Sequence, residues 1–128
     1  CETVANTIVE YGSKPVFADI ELETFNMSPD STLEHINKKT RAIVAVHMYG
    51  IPSKIDEIRK IATDNNIFLI EDCAQALGAV YDGVKLGNYG DISFFSFGKG
   101  KHMGCSFHSS DCICHRVCYN HSFDDYSV

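Results

Sequence analysis

Short apolar runs alternate with amphipathic stretches along most of this chain, and the two periods separate strands from helices. Val4, Ile8 and Tyr11 recur at helical spacing, so residues 2–11 read as a helix closed by Gly12, a residue suited to a left-handed cap. Residues 14–20, Lys-Pro-Val-Phe-Ala-Asp-Ile, read as a short buried strand, with Pro15 at its start where no ladder donor is needed. Ser28-Pro29-Asp30 has the form of a helix start, and Leu33 and Ile36 are the inward positions that follow. Residues 42–47 are apolar almost throughout, as in a strand covered on both faces. Ser53 reads as the cap of a helix burying Ile55, Ile58, Ile61 and Ala62, with Lys54, Glu57 and Lys60 outside. Residues 67–70 form another buried strand ending at Glu71-Asp72, Asp82-Gly83 marks a tight hairpin, and residues 92–97 are a last strand. Strands alternating with helices predict an α/β fold: a mainly parallel sheet with flanking helices.

Composition narrows the choice of partner. Seventeen acidic against eleven basic residues leave a net charge of −6 in 128 residues, which argues against a nucleic-acid binder and a polybasic membrane anchor. No apolar run is long enough to span a bilayer. The first residue is Cys1, as expected of a fragment. Of six cysteines, only Cys1 and Cys73 precede residue 105, while Cys105, Cys112, Cys114 and Cys118 crowd the end beside His108, His115 and His121. A secreted disulfide scaffold would spread its cysteines, so residues 1–104 read as a cytoplasmic α/β segment.

In parallel sheets, ligands bind beyond the carboxyl ends of the strands. There this chain places His47, Asp72, and Ser96 followed by Lys101, so an acid, a hydroxyl and a lysine could converge. Each taken singly has an ordinary explanation as a cap or a solvated side chain. No acidic cluster follows the first strand, as a receiver domain would require, and no G-x-G-x-x-G marks a dinucleotide site.

The wording of four segments adds what spacing does not. Glu71-Asp72-Cys73-Ala74-Gln75-Ala76-Leu77-Gly78-Ala79 and the stretch Lys85-Leu86-Gly87-Asn88-Tyr89-Gly90-Asp91 through Phe97 resemble the DegT/DnrJ-type sugar aminotransferases. Residues 14–20 and Ala45-Val46-His47-Met48-Tyr49-Gly50 match in the same order. The resemblance implies a partial large domain of a pyridoxal-phosphate enzyme of the aspartate-aminotransferase fold, over residues 1–104. It implies that Asp72 pairs with the pyridine nitrogen, Gln75 meets the ring-hydroxyl side, Ser96 binds the phosphate and Lys101 carries the cofactor and moves the proton. Lys99 would be a loop residue, His47 and Tyr49 supports, and Cys73 a packed core residue. The implied substrates are a nucleotide-linked keto sugar and an amino donor, glutamate, used by a homodimer. Lysine at 101 favours an aminotransferase over the related dehydratases, which carry histidine there, although His102 is adjacent. A non-catalytic relic or binding fragment is the other alternative.

The resemblance ends near Cys105. Residues 105–128 read as a divergent Cys/His-rich tail, disordered or produced by a reading-frame change. A metal module on Cys112, Cys114, His115 and Cys118 is the rival, but its spacing lacks paired Cys-x2-Cys knuckles, and no metal ligand is assigned.

Overall fold

A computed structural model describes residues 2–96 and the backbone of residues 112–115. Helix α1 (Glu2–Glu10) ends as expected: Gly12 takes φ +76°, its N–H bonds to the Val9 carbonyl, and Ser13 N–H bonds to that of Ile8. This pairing satisfies two carbonyls of the last turn. In α2 (Pro29–His35), the Ser28 hydroxyl accepts the Ser31 N–H at 3.3 Å and proline opens the first turn. The inward face differs from the expected one, because Leu33 is 53% exposed and Thr32 is buried. Pro29, Thr32 and Ile36 lie on one side of the helix, and Leu33 is turned about a quarter-circle away from Thr32.

The sheet comprises β1 (Ala42–Val46), β2 (Phe68–Asp72), β5 (Ile92–Ser96) and β6 (Cys112–His115), in the order β1-β2-β5-β6. The first three run parallel and β6 is antiparallel to β5. Helix α3 (Ile55–Asp64) crosses from β1 to β2 and covers one face with Ile55, Ile58 and Ala62, against Ile43, Ala45 and Leu69. Each of those fully buried isoleucines stabilises the fold by about 1.5–3 kcal/mol. Between β2 and β5, the hairpin of β3 (Val80–Tyr81) and β4 (Val84–Lys85) turns on Asp82 and Gly83, both at positive φ, as the Asp-Gly pair predicts. The Tyr81 hydroxyl ties it to α3 by donating to Asp56 at 2.7 Å.

Three expectations need correction. Residues 14–20 are not a strand: apart from one bridge between Ile20 and Met27 they lack a ladder, and Phe17 is 73% exposed. Apolar content alone cannot make a strand where no neighbouring strand offers hydrogen bonds. The strand at residues 42–46 is fully packed on one face only; on the other, Val44 and Val46 are half-buried and border a cleft of about 1020 Å³ with Val4, Ile8, Phe17 and Ile70. Ser53 does not cap α3, whose first turn lacks a side-chain cap, because the hydroxyl turns to His47 instead. The stretch read as a tail contributes the β6 backbone; its other residues, and every side chain of the Cys/His rival, lie outside the described residues.

Candidate functional site

Parallel pairing brings the carboxyl ends of β1, β2 and β5 to one edge of the sheet. The His47 N–H bonds to the Asp72 carbonyl at 3.1 Å and the Cys73 N–H to the Phe94 carbonyl at 3.0 Å, stitching the three ends together. Asp72 lies opposite Phe94, so Ser96, two residues further, projects from the same face as Asp72. Two residues along a strand and one strand across separate the two positions by about 8 Å. Asp72 is 5% exposed and accepts the Ala74 N–H on Oδ1 at 3.0 Å.

Gln75 stands just beyond β2. Its Oε1 accepts the Tyr49 N–H at 2.9 Å, which leaves the NH2 end of the amide as its donor to a ligand. Tyr49 sits at φ +54°, unusual for a bulky residue, and Gly50 follows at φ +79°, where a Cβ would lie a tight 3.2 Å from the Gln75 carbonyl. Gln75 thereby holds the turn after β1 in place. Lys101, with Lys99 and His102, lies outside the described residues.

On the opposite face, the chain folds around a carboxylate whose sequence position marks only a strand end. Glu71 is fully buried. Its Oε2 accepts the Gly87 N–H at 2.8 Å and faces His47 Nε2 at 3.4 Å; its Oε1 accepts N–H groups from Tyr89 at 2.7 Å and from Gly90. Burial pushes the Glu71 carboxyl up, but His47 and the three loop amides outweigh it and hold it below its ordinary value. Spacing could have revealed this role: Leu69, Glu71 and Cys73 share the buried face, and a buried acid must find donors.

His47 completes the network. Ser53 N–H can only donate, and it meets His47 Nδ1 at 3.2 Å, so the ring proton sits on Nε2 facing Glu71. The Ser53 hydroxyl also lies 3.2 Å from Nδ1, giving the connectivity of a Ser-His-Glu nucleophile system. All three residues are fully buried and the Nδ1 lone pair is held by a backbone N–H, so the arrangement braces the fold rather than activating the serine. His47, Glu71 and Cys73 also bring one donor atom each within 4.8 Å of one another. The Glu71 oxygens already face four hydrogen-bond donors, and burial, with Glu71 and Asp72 nearby, pushes the Cys73 thiol up to about 12. Those donors compete with any metal for the same lone pairs.

Comparison with known proteins gives this edge a lineage. Residues 2–109 match the model of the DegT/DnrJ/EryC1/StrS aminotransferase family. GDP-perosamine synthase of Vibrio cholerae is 47% identical over 92 residues, 72% of this chain and 25% of the relative. A dTDP-4-dehydro-2,6-dideoxy-D-glucose 3-dehydratase of Saccharopolyspora spinosa is 40% identical over 101 residues, 79% of this chain and 22% of the relative. The X-ray structure of an aminotransferase from Psychrobacter cryohalolentis superimposes with a TM-score of 0.73 at 41% identity, covering 75% of this chain and 24% of that one. The chain thus spans about a quarter of the length of the relatives it matches.

Proposed function

Because the chain belongs to the DegT/DnrJ/EryC1/StrS aminotransferase family, we propose that its carboxyl edge is one wall of a pyridoxal-phosphate site in a sugar aminotransferase. The observation that carries this reading is the shared face of Asp72 and Ser96 at the ends of neighbouring strands. Their separation of about 8 Å suits a pyridine ring with a phosphate arm laid between an acid and a hydroxyl. When bound, that cofactor supplies an electron sink for moving an amino group. Asp72 then accepts the N–H of the pyridine nitrogen and keeps that proton in place. Gln75 donates its NH2 to the ring-hydroxyl side, its carbonyl being engaged by Tyr49. Ser96 donates to the phosphate. Lys101 carries the cofactor and moves the proton. The substrate class is a nucleotide-linked keto sugar, the amino donor is glutamate, and the working assembly is a homodimer.

The second reading is dehydration of a similar sugar, favoured by the dehydratase among the relatives. Lysine rather than histidine at position 101 speaks for amino transfer. The test is made in a full-length protein carrying this segment. Ser96→Ala should weaken pyridoxal phosphate about 10- to 100-fold, as expected for a lost hydrogen bond to an anion. Asp72→Asn should retain the cofactor and lose conversion of glutamate to 2-oxoglutarate, because an amide does not hold the ring nitrogen protonated. Unchanged affinity and unchanged transamination in these variants would contradict the proposal, and water loss without amino transfer would favour the dehydratase.

A further inference from the structure

We infer that Glu71 is a positioning residue for that edge: it pins the register of β5 on β2, so that Ser96 stays on the face of Asp72. The inference rests on the cofactor-site reading above. The β2–β5 ladder has three residue pairs, Ile70–Ile92, Glu71–Ser93 and Asp72–Phe94, against five between β1 and β2. A short ladder specifies register weakly, and a slip of one residue turns every side chain to the other face. Such a slip would carry Ser96 away from Asp72.

The chain reaches β5 through residues 87–90, and that loop is seated on Glu71. Three of its four N–H groups, from Gly87, Tyr89 and Gly90, converge on the carboxylate. The fit is tight. A Cβ on Gly90 would lie 2.8 Å from the Ile92 carbonyl, 2.9 Å from that of Leu69 and 3.2 Å from Glu71 Cγ. A Cβ on Gly87 would lie 2.6 Å from the Phe95 ring. Asp91 then locks the start of the strand, its N–H donating to the Leu69 carbonyl and its Oδ2 accepting the Leu69 N–H, both at 2.8 Å. From the other side, His47 ties the same carboxylate to the end of β1 and, through Ser53, to the start of α3. Glu71 touches neither the Asp72 face nor Ser96; it acts on them through the loop and the strand.

Glu71→Gln keeps the shape but sets an NH2 group against N–H donors at whichever oxygen it replaces. The test is a double-mutant cycle with Ser96→Ala, in a full-length protein carrying this segment, read as affinity for pyridoxal phosphate. Hydrogen exchange at the Gly87, Tyr89 and Gly90 amides is followed without cofactor. Glu71→Gln should speed exchange at those amides and weaken the cofactor about tenfold or more. Adding Ser96→Ala should then cost little further, because the serine has already left the site. Fully additive losses, or a folded Glu71→Gln protein with wild-type affinity, would overturn the inference. If Glu71→Gln does not fold, His47→Leu takes its place in the cycle: it removes one donor at Oε2, and the same additive or non-additive pattern decides. A wild-type protein that binds no pyridoxal phosphate would overturn the cofactor reading itself, an outcome distinct from a failure confined to Glu71.

Discussion

Glu71 and Asp72 are neighbours in sequence with opposite surroundings. Glu71 points into the packed side beneath the 87–90 loop, whereas Asp72 points with Ser96 from the other face. Because Glu71 is held below its ordinary value, the folded protein binds fewer protons there than the unfolded chain does. Its stabilisation is therefore complete above the unfolded carboxylate range, near pH 4.3, and is lost as pH falls through the lowered folded value. In denaturant titrations, Glu71→Gln should cost roughly 2–4 kcal/mol at neutral pH through unsatisfied loop donors, and the gap should shrink on acidification. A gap that stays constant down to pH 3 would contradict this account. At this scale the sequence displayed the strand-end placement of Asp72 and Ser96, because each closes an apolar run. The alternation of Leu69, Glu71 and Cys73 could have marked Glu71 as buried, but not its donors, which come from a loop sixteen residues away. It misassigned Ser53 because a serine before a helix has two uses, and His47 competes for this one.

Elements whose signals are local were legible. The Gly12 cap, the Ser28-Pro29 helix start and the Asp82-Gly83 turn each depend on a few adjacent residues. Elements defined by distant neighbours were not: residues 14–20 have a strand's composition without a ladder, and the inward face of α2 is decided by how it docks. The glycines divide in the same way. Gly83 sits at φ +78° with open space around its Cα, so Gly83→Ala should cost about 1–2 kcal/mol, from backbone conformation alone. A Cβ on Gly90 would instead lie 2.8 and 2.9 Å from two backbone carbonyls, where nothing can yield cheaply. Gly90→Ala should lower the unfolding midpoint clearly more than Gly83→Ala does; equal midpoints would mean that the loop is not seated on the sheet as described.

For the whole molecule, one side of the sheet is fully packed and the other borders a cleft, among the described residues. Helix α3 and the hairpin cover Ile43, Ala45 and Leu69, while the cleft beside Val44, Val46 and Ile70 runs out to exposed Phe17 and Val16. No helix among the described residues is long and apolar enough to cross a membrane. The alternation of strands and helices disclosed the α/β architecture, and four quoted segments disclosed the family; neither could disclose which sheet face borders the cleft, since that depends on packing partners distant in sequence. The proposed site stands or falls with Lys101, the lysine proposed to carry amino transfer. Its direct test is borohydride reduction of a full-length protein carrying this segment, loaded with pyridoxal phosphate, followed by peptide mapping. The expected result is one pyridoxyl adduct, on Lys101, abolished together with transamination by Lys101→Arg. An adduct on Lys99, or transamination with no adduct on any lysine, would contradict the account.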